Sequence, residues 1–258
     1  MHIVLLIFAA FIAGAINSVA GGGTLLTFPT LLAMGMPSVI ANGTSTVSLV
    51  PGSISSFVKY IDEIKAHKPD LIKLGIPSVF GGYIGARIVV HMTSSEFSHL
   101  VPFLILGATA LFIVQEPVQR SVARKMESQG LSPKIPGPLA WVGVMVFQFF
   151  VAVYGGLFGA GMGILMLAAL GILGIKGIHK MNALKNFAAI CINGVASITF
   201  IAANKVDWSA ALIMTIGAVA GGYLGAGLAQ KVGEKGVRVS VVVIGLLIGI
   251  KTLAFPMH

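Results

Sequence analysis

Two glycine-rich stretches contain the residues of this chain that are best suited to binding chemistry. Gly21-Gly-Gly23 with Thr24, and Gly159-Ala-Gly-Met-Gly163, each interrupt a long apolar run. A helix that begins after such a break exposes backbone N–H groups without intrahelical partners, and its N-terminus carries positive partial charge. Two such helix ends close together would bind an anion without a formally charged side chain. The anion site predicted from these breaks contains Gly21, Gly22, Gly23, Thr24, Gly161 and Gly163.

Polar residues begin the helix that follows each pair of helical pieces joined by a glycine break. Their amide and hydroxyl groups can donate hydrogen bonds to oxyanion oxygens, and they cost less to bury than charged groups. The same groups can equally cap a helix or bond to a neighbouring helix. The residues predicted to bind substrate in this way are Asn42, Thr44 and Ser45 in the first half of the chain, and Asn182 and Asn186 in the second.

Two cations lie within apolar segments and join the predicted substrate site. Lys185 stands a turn into its helix, and a membrane-embedded cation indicates a functional role by default. The alternative is that its ammonium group reaches the inner membrane surface beside Lys180. Arg87 follows a glycine-rich helix face, where it can contact substrate or anchor the outer end of its helix.

The two glycine breaks belong to an internal duplication with an offset of 140 residues. Gly21 corresponds to Gly161, Asn42 corresponds to Asn182, and GGYIGA at 81–86 aligns without a gap with GGYLGA at 221–226. Glycine-interrupted segments at matching positions of two repeats indicate the binding site of a transporter.

The composition identifies a polytopic membrane protein. Hydrophobic residues make up 56% of the 258 residues, charged residues make up only 10%, and there are 33 glycines. These values exclude an ordinary soluble domain. The net charge of +9 comes from basic residues in short loops between apolar runs, as the positive-inside rule requires, so no nucleic-acid partner is expected. We expect a multi-pass protein of a prokaryotic plasma membrane.

The apolar segments predict an all-α fold made of two repeats in one integrated transmembrane domain. Residues 1–114 form the first repeat, residues 115–138 form a polar cytoplasmic linker, and residues 139–258 form the second repeat. Each repeat contains a glycine-broken helix pair and three further transmembrane helices. The second helix of each pair is short, so the pair is either two full spans or a re-entrant hairpin.

The basic loops predict that the two repeats have opposite orientations. In the first repeat, the loop after the third apolar segment is basic. In the second repeat, the loop after the fourth apolar segment is basic instead. If each broken pair were instead one kinked span, the repeats would be parallel and several cations would face outward. The residues that set this pattern are Lys59, Lys65 and Lys68 in the first repeat and Lys231, Lys235 and Arg238 in the second.

The sequence contains no catalytic or metal-binding pattern. All eight acidic residues lie in loops or at segment ends, the histidines lack metal-ligand spacing, and Cys191 is the only cysteine. We therefore expect no enzyme activity, no metal and no cofactor. The glycine faces at Gly81 and Gly221 fit internal helix packing best, although the interface of a homodimer would use small residues in the same way.

Five motifs together resemble the sulfite exporter TauE/SafE family of membrane permeases. They are NSVAGGGT at 17–24, FPTL at 28–31, ANGTS at 41–45, GGLFGAGMG at 155–163 and MNALKN at 181–186. The resemblance implies transport of a small sulfur-containing anion, such as sulfite or an organosulfonate like sulfoacetate, usually outward from a bacterial cytoplasm. We expect a secondary transporter in the lipid bilayer that works by alternating access. An anion channel, or an uptake permease for a different small organic anion, is the alternative.

Overall fold

A computed structural model describes most of the chain. The described residues are 2–19, 21–58, 68–128, 138–172, 175, 178–232, 242–243, 245–250 and 253. The predicted basic loop around Lys59 and Lys65, and the residues Lys235 and Arg238, lie outside this part.

Helix is the only regular secondary structure among the described residues, so the prediction of an all-helical chain is confirmed. Nine helices have defined bounds: α1 His2–Val19, α2 Thr24–Ala33, α3 Ser38–Val58, α4 Lys68–His91, α5 Ser94–Ser128, α6 Pro138–Leu157, α7 Met162–Ile172, α8 Ile178–Ala202 and α9 Trp208–Val232. Residues 245–250 are helical as well. Helix α5 continues past Val114 to Ser128, so the first half of the predicted linker is helical.

The helix lengths explain how the two broken pairs are built. α1 and α6 contain 18 and 20 residues, whereas α2 and α7 contain 10 and 11. At 1.5 Å per residue, the short helices extend only about 15–17 Å, which is roughly half of the hydrocarbon core. The second helix of each broken pair is therefore too short to cross a bilayer by itself.

The four longest apolar stretches of the second half support a membrane location. Leu139–Leu157 and Lys180–Ala202 are long and apolar enough to cross a bilayer, while Met162–Gly171 and Trp208–Leu224 are shorter apolar helices. Many large hydrophobic side chains are exposed on the helix surfaces, for example Phe103 and Leu212. Such surfaces are expected where lipid, and not water, is the solvent.

Glycine faces allow the helices of the two halves to pack closely. α4 packs on α6 and α9 packs on α1. A Cβ atom at Gly81 would lie 2.5 Å from the Phe149 carbonyl oxygen, and one at Gly221 would collide with the Phe11 carbonyl. The internal packing predicted for these glycines is thus present, because no larger residue would fit between the helices.

Equivalent helices of the two halves run in opposite directions where they touch. Near the beginning of α3, Gly43 lies against Phe200 at the end of α8. Near the end of α3, the Ser56 hydroxyl accepts a hydrogen bond from Asn186 close to the beginning of α8. α3 and α8 are therefore antiparallel and form a central contact between the halves.

Candidate functional site

The two glycine breaks meet in the middle of the helix assembly. The Gly161 N–H donates a hydrogen bond to the Gly21 carbonyl oxygen at 3.0 Å. A Cβ atom at Gly21 would lie 3.0 Å from the Cα atom of Gly163. Gly21 and Gly161 have φ angles of +74° and +78°, which glycine adopts without the penalty that L-residues incur. The sequence analysis predicted that the two breaks approach each other, and a backbone hydrogen bond connects them in the structure.

A side chain from the preceding helix closes the first break. The Gly23 N–H donates to Asn17 Oδ1 at 2.8 Å, so Asn17 satisfies one of the N–H groups before α2. Gly22, Gly23 and Thr24 are all buried at this helix N-terminus. The remaining first-turn N–H groups of α2 give this buried break a positive partial charge.

The second break is held by two polar residues that the sequence analysis did not single out. The Tyr154 hydroxyl donates to the Ala160 carbonyl at 2.6 Å. Asn193 Oδ1 would lie 3.7 Å from a Cβ atom at Gly159, whose φ angle is +79°. The N-terminus of α7 therefore begins inside a buried, partly polar enclosure.

Asn42 lies directly beside the second break. Its Nδ2 group donates to the carbonyl of Leu157, the last residue of α6, at 3.0 Å. This bond fixes the amide orientation, because a carbonyl oxygen requires a donor. Asn42 Oδ1 is buried and has no hydrogen-bond partner among the described residues, and the same is true of Oδ1 of its repeat equivalent, Asn182.

Three other predicted residues form contacts between helices. Thr44 Oγ1 accepts a hydrogen bond from the Asp207 N–H at the beginning of α9. The Ser45 hydroxyl lies 2.6 Å from Thr27 Oγ1 on α2, so Ser45 reaches the helix that follows the first break. Asn186 is bonded to Ser56 on α3 at 3.4 Å. Thr44 is thus directed away from the breaks, toward the α8–α9 connection.

Lys185 is buried between the two halves of the chain. Only 1% of its surface is exposed, and it lines a crevice between α4, α6, α7 and α8. Gln148 on α6 lines the same crevice, and its Nε2 group donates to the Ser78 hydroxyl on α4 at 2.9 Å. Lys185 therefore places a positive charge at a buried contact between α4 of the first half and helices of the second half.

The structure separates Arg87 from the other predicted residues. Arg87 lies on the exposed face near the end of α4, where its carbonyl lies 2.7 Å from His91 Nδ1. The anchoring role considered for Arg87 is consistent with this position.

Sequence reasoning missed Asn17, Tyr154, Gln148 and Asn193. Gln148 had a detectable signal, since it is a polar amide inside the apolar segment from 139 to 154. Asn17 and Asn193 carry the same signal, since each is a polar amide inside an apolar segment, whereas Tyr154 gave none. Within the described ranges, no group of three His, Cys, Asp or Glu side chains is arranged to hold a metal ion.

No solved structure matches the chain, so its relatives are identified by sequence. The chain is 27% identical over its whole length to the "Probable membrane transporter protein ORF9" of Sinorhizobium sp, covering 95% of that protein. It is 29% identical to the "Probable membrane transporter protein YfcA" of Escherichia coli K12, with 96% of this chain and 88% of the relative aligned. "Probable membrane transporter protein YunE" of Bacillus subtilis is 28% identical, with 96% of each chain aligned.

The model of one protein family, described as Sulfite exporter TauE/SafE, matches residues 6–252. This match covers both glycine breaks and both polar helix starts, and it confirms the resemblance seen in the sequence motifs. The chain therefore belongs to the TauE/SafE family of membrane transporters.

Proposed function

We propose that this protein is a secondary transporter that exports a small sulfur-containing oxyanion, such as sulfite or an organosulfonate, across the plasma membrane. The observation that carries the proposal is the contact between the two breaks, where the Gly161 N–H bonds to the Gly21 carbonyl. Transporters with duplicated halves bind their substrates where broken helices meet. The family description supports an oxyanion such as sulfite as the cargo.

Positive charge at the junction between the halves supports an anionic substrate. The N-termini of α2 and α7 both begin at the joined breaks. Lys185 lines the same crevice as Met166 of α7, which is a turn or so beyond the start of that helix. The ammonium group of Lys185 adds a formal positive charge among buried residues, where charges are poorly screened by water.

The packing of the two halves supports alternating access by inverted repeats. α1 packs on α9 as its repeat equivalent α6 packs on α4, and α3 packs on α9 as α8 packs on α4. α3 and α8 are antiparallel at their contact. When two equivalent repeats have opposite orientations, rocking one repeat against the other can open the binding site to one side of the membrane and then to the other.

The basic residues indicate which side of the protein is cytoplasmic. A salt bridge of 3.8 Å between Lys180 and Asp70 joins the beginnings of α8 and α4, so both helices start on one side. The basic linker precedes α6, which packs along α4 in the same direction. By the positive-inside rule this side is cytoplasmic. The membrane potential drives an anion outward from it by about 2.3 kcal/mol per charge per 100 mV.

Replacement of Lys185 by methionine, which has a similar shape and no charge, tests the proposal. In the wild-type protein, sulfite or sulfoacetate at about one hundred times its dissociation constant should stabilise the fold by about 2.7 kcal/mol. For a chain of this length this corresponds to a rise in Tm of roughly 5–10 °C. Lys185→Met should abolish both this rise and the flux of the same anion from proteoliposomes.

Lys180→Met is the matched control, because Lys180 begins the same helix and its ion pair with Asp70 is partly exposed. This variant should keep anion binding and flux. A wild-type protein that responds to no sulfur oxyanion, or a Lys185→Met variant that transports normally, would contradict the proposed site. Ohmic single-channel current would assign the protein to the channel class instead.

A further inference from the structure

The polar atom of Asn42 that has no partner among the described residues is an acceptor, although the sequence suggested a donor. Its Nδ2 group is bonded to the Leu157 carbonyl at 3.0 Å, so the amide cannot turn without breaking that bond. The atom left over is Oδ1, which is buried in a residue with 0% exposure and meets no hydrogen-bond partner in the described parts of the chain. A buried carbonyl oxygen of this kind is costly unless a donor reaches it.

The bond to Leu157 places the side-chain amide of Asn42 next to the second break. Leu157 ends α6, and Phe158 begins the break that continues to Gly161. The C-terminal end of α6 carries negative partial charge, whereas the N-termini of α2 and α7 carry positive partial charge. The junction is therefore bipolar: positive partial charge lies where the two short helices begin, and an acceptor without a partner among the described residues lies beside the end of α6.

The repeat supplies an independent second observation. Asn182 is the residue equivalent to Asn42, and its Oδ1 is also buried without a partner within the described ranges. The arrangement at Asn42 therefore recurs at the equivalent position of the second half, and a buried polar group without a partner calls for an explanation at both.

From the bipolar junction we infer that the transported anion also carries a hydrogen-bond donor, a hydroxyl or an ammonium group, which Asn42 Oδ1 accepts. This inference rests on the proposed function, because the helix N-termini must hold the anionic head of the same molecule. The substrate class is a short organic oxyanion with its donor a few atoms from the anionic group.

Three sulfonates with the same number of heavy atoms test this inference. They share the sulfonate group and differ only in the group at the other end of the chain. Propane-1-sulfonate ends in a methyl group, 2-hydroxyethanesulfonate in a hydroxyl, and 2-aminoethanesulfonate in an ammonium. The dissociation constants are measured with purified wild-type protein by thermal stabilisation and isothermal titration. We expect one of the two donor-bearing anions to bind about tenfold to a hundredfold more tightly than propane-1-sulfonate, because the methyl analogue leaves Oδ1 unsatisfied.

The comparison of the three sulfonates uses the wild-type protein alone. The Asn42→Leu variant then tests whether Asn42 is the residue that causes the preference for a donor. Asn42→Leu should reduce the preference for the donor to less than about twofold. Ser53→Ala is the matched control on the same helix, since its hydroxyl bonds only to the Leu49 carbonyl, and it should keep the wild-type preference.

The outcomes distinguish this inference from the proposed function. If all three sulfonates bind equally, the inference is overturned, because water or another protein group then satisfies Oδ1, and the anion transporter remains. If these sulfonates, the matched carboxylates butyrate, 3-hydroxypropanoate and 3-aminopropanoate, and also sulfite and sulfoacetate neither bind nor are transported, the proposed function fails as well. Stabilisation by sodium alone, with choline as the control, would assign Oδ1 to a cation and overturn the inference.

Discussion

Replacement of Gly21 by alanine tests whether the contact between the two breaks is needed for transport. Gly21 has a φ angle of +74°, and a Cβ atom there would lie 3.0 Å from Gly163 Cα. The substitution therefore has two effects: it strains the backbone, and it pushes α7 away by a few tenths of an ångström. The second effect also weakens the bond from the Gly161 N–H to the Gly21 carbonyl.

Gly35 separates these two effects. Its φ angle is +82°, but a Cβ atom at Gly35 would meet nothing within 4 Å. Gly35→Ala should thus cost only the left-handed backbone penalty of about 1–2 kcal/mol. Gly21→Ala should cost a further 0.5–1.5 kcal/mol or so for the weakened hydrogen bond, which lowers its Tm by roughly another 1–6 °C.

The assay compares both variants with the wild type in thermal unfolding and in sulfite flux from proteoliposomes. We expect Gly35→Ala to transport normally despite its lower Tm, whereas Gly21→Ala should lose most of its flux at temperatures where it remains folded. If Gly21→Ala transports like the wild type, or if the two variants are equally stable, the contact between the breaks is not the functional centre.

Two further predictions concern the scaffold. A Cβ atom at Gly85 would collide with the Val153 carbonyl, whereas one at Gly107 would meet nothing within 4 Å. Gly85→Ala should therefore lower the free energy of unfolding by about 1–3 kcal/mol, while Gly107→Ala should be neutral or slightly stabilising. Equal stability of the two variants would refute the close packing of α4 on α6. The Glu96 carboxylate accepts hydrogen bonds from the N–H and hydroxyl of Thr93, which hold the pKa of Glu96 below its ordinary value of 4.5. A lowered folded-state pKa stabilises the protein above the unfolded pKa, and this stabilisation is lost as the pH falls through the folded pKa. The Tm difference between wild type and Glu96→Gln should therefore shrink from about pH 6 to below pH 4.5, and a constant difference would show that the carboxylate does not cap α5.

The repeat and the breaks could be read from the sequence because their causes are local. Three consecutive glycines end a helix wherever they occur, and long apolar runs require a membrane. The offset of 140 residues then identified the equivalent positions Gly21 and Gly161, which the structure joins by a hydrogen bond. Family membership followed from the same motifs and is confirmed by the match over residues 6–252.

The chemistry of the individual polar groups depended on the tertiary structure. Sequence predicted that Asn42 would donate to an anion, but its donor is used by Leu157, 115 residues away, and its acceptor remains. Thr44 belongs to the same motif and instead contacts Asp207. Hydrogen-bond direction is decided by which distant backbone groups arrive beside a side chain, and a sequence does not encode this at any fixed spacing.

The sequence by itself determined that this chain is a duplicated membrane transporter with one break in each half, since hydrophobicity and helix breaking act over a few residues. Only the tertiary structure decided that the breaks touch, that Gln148 shares a crevice with Lys185, and that Arg87 is exposed. These facts depend on helix packing between the halves, where the close approach of glycine faces sets which residues meet.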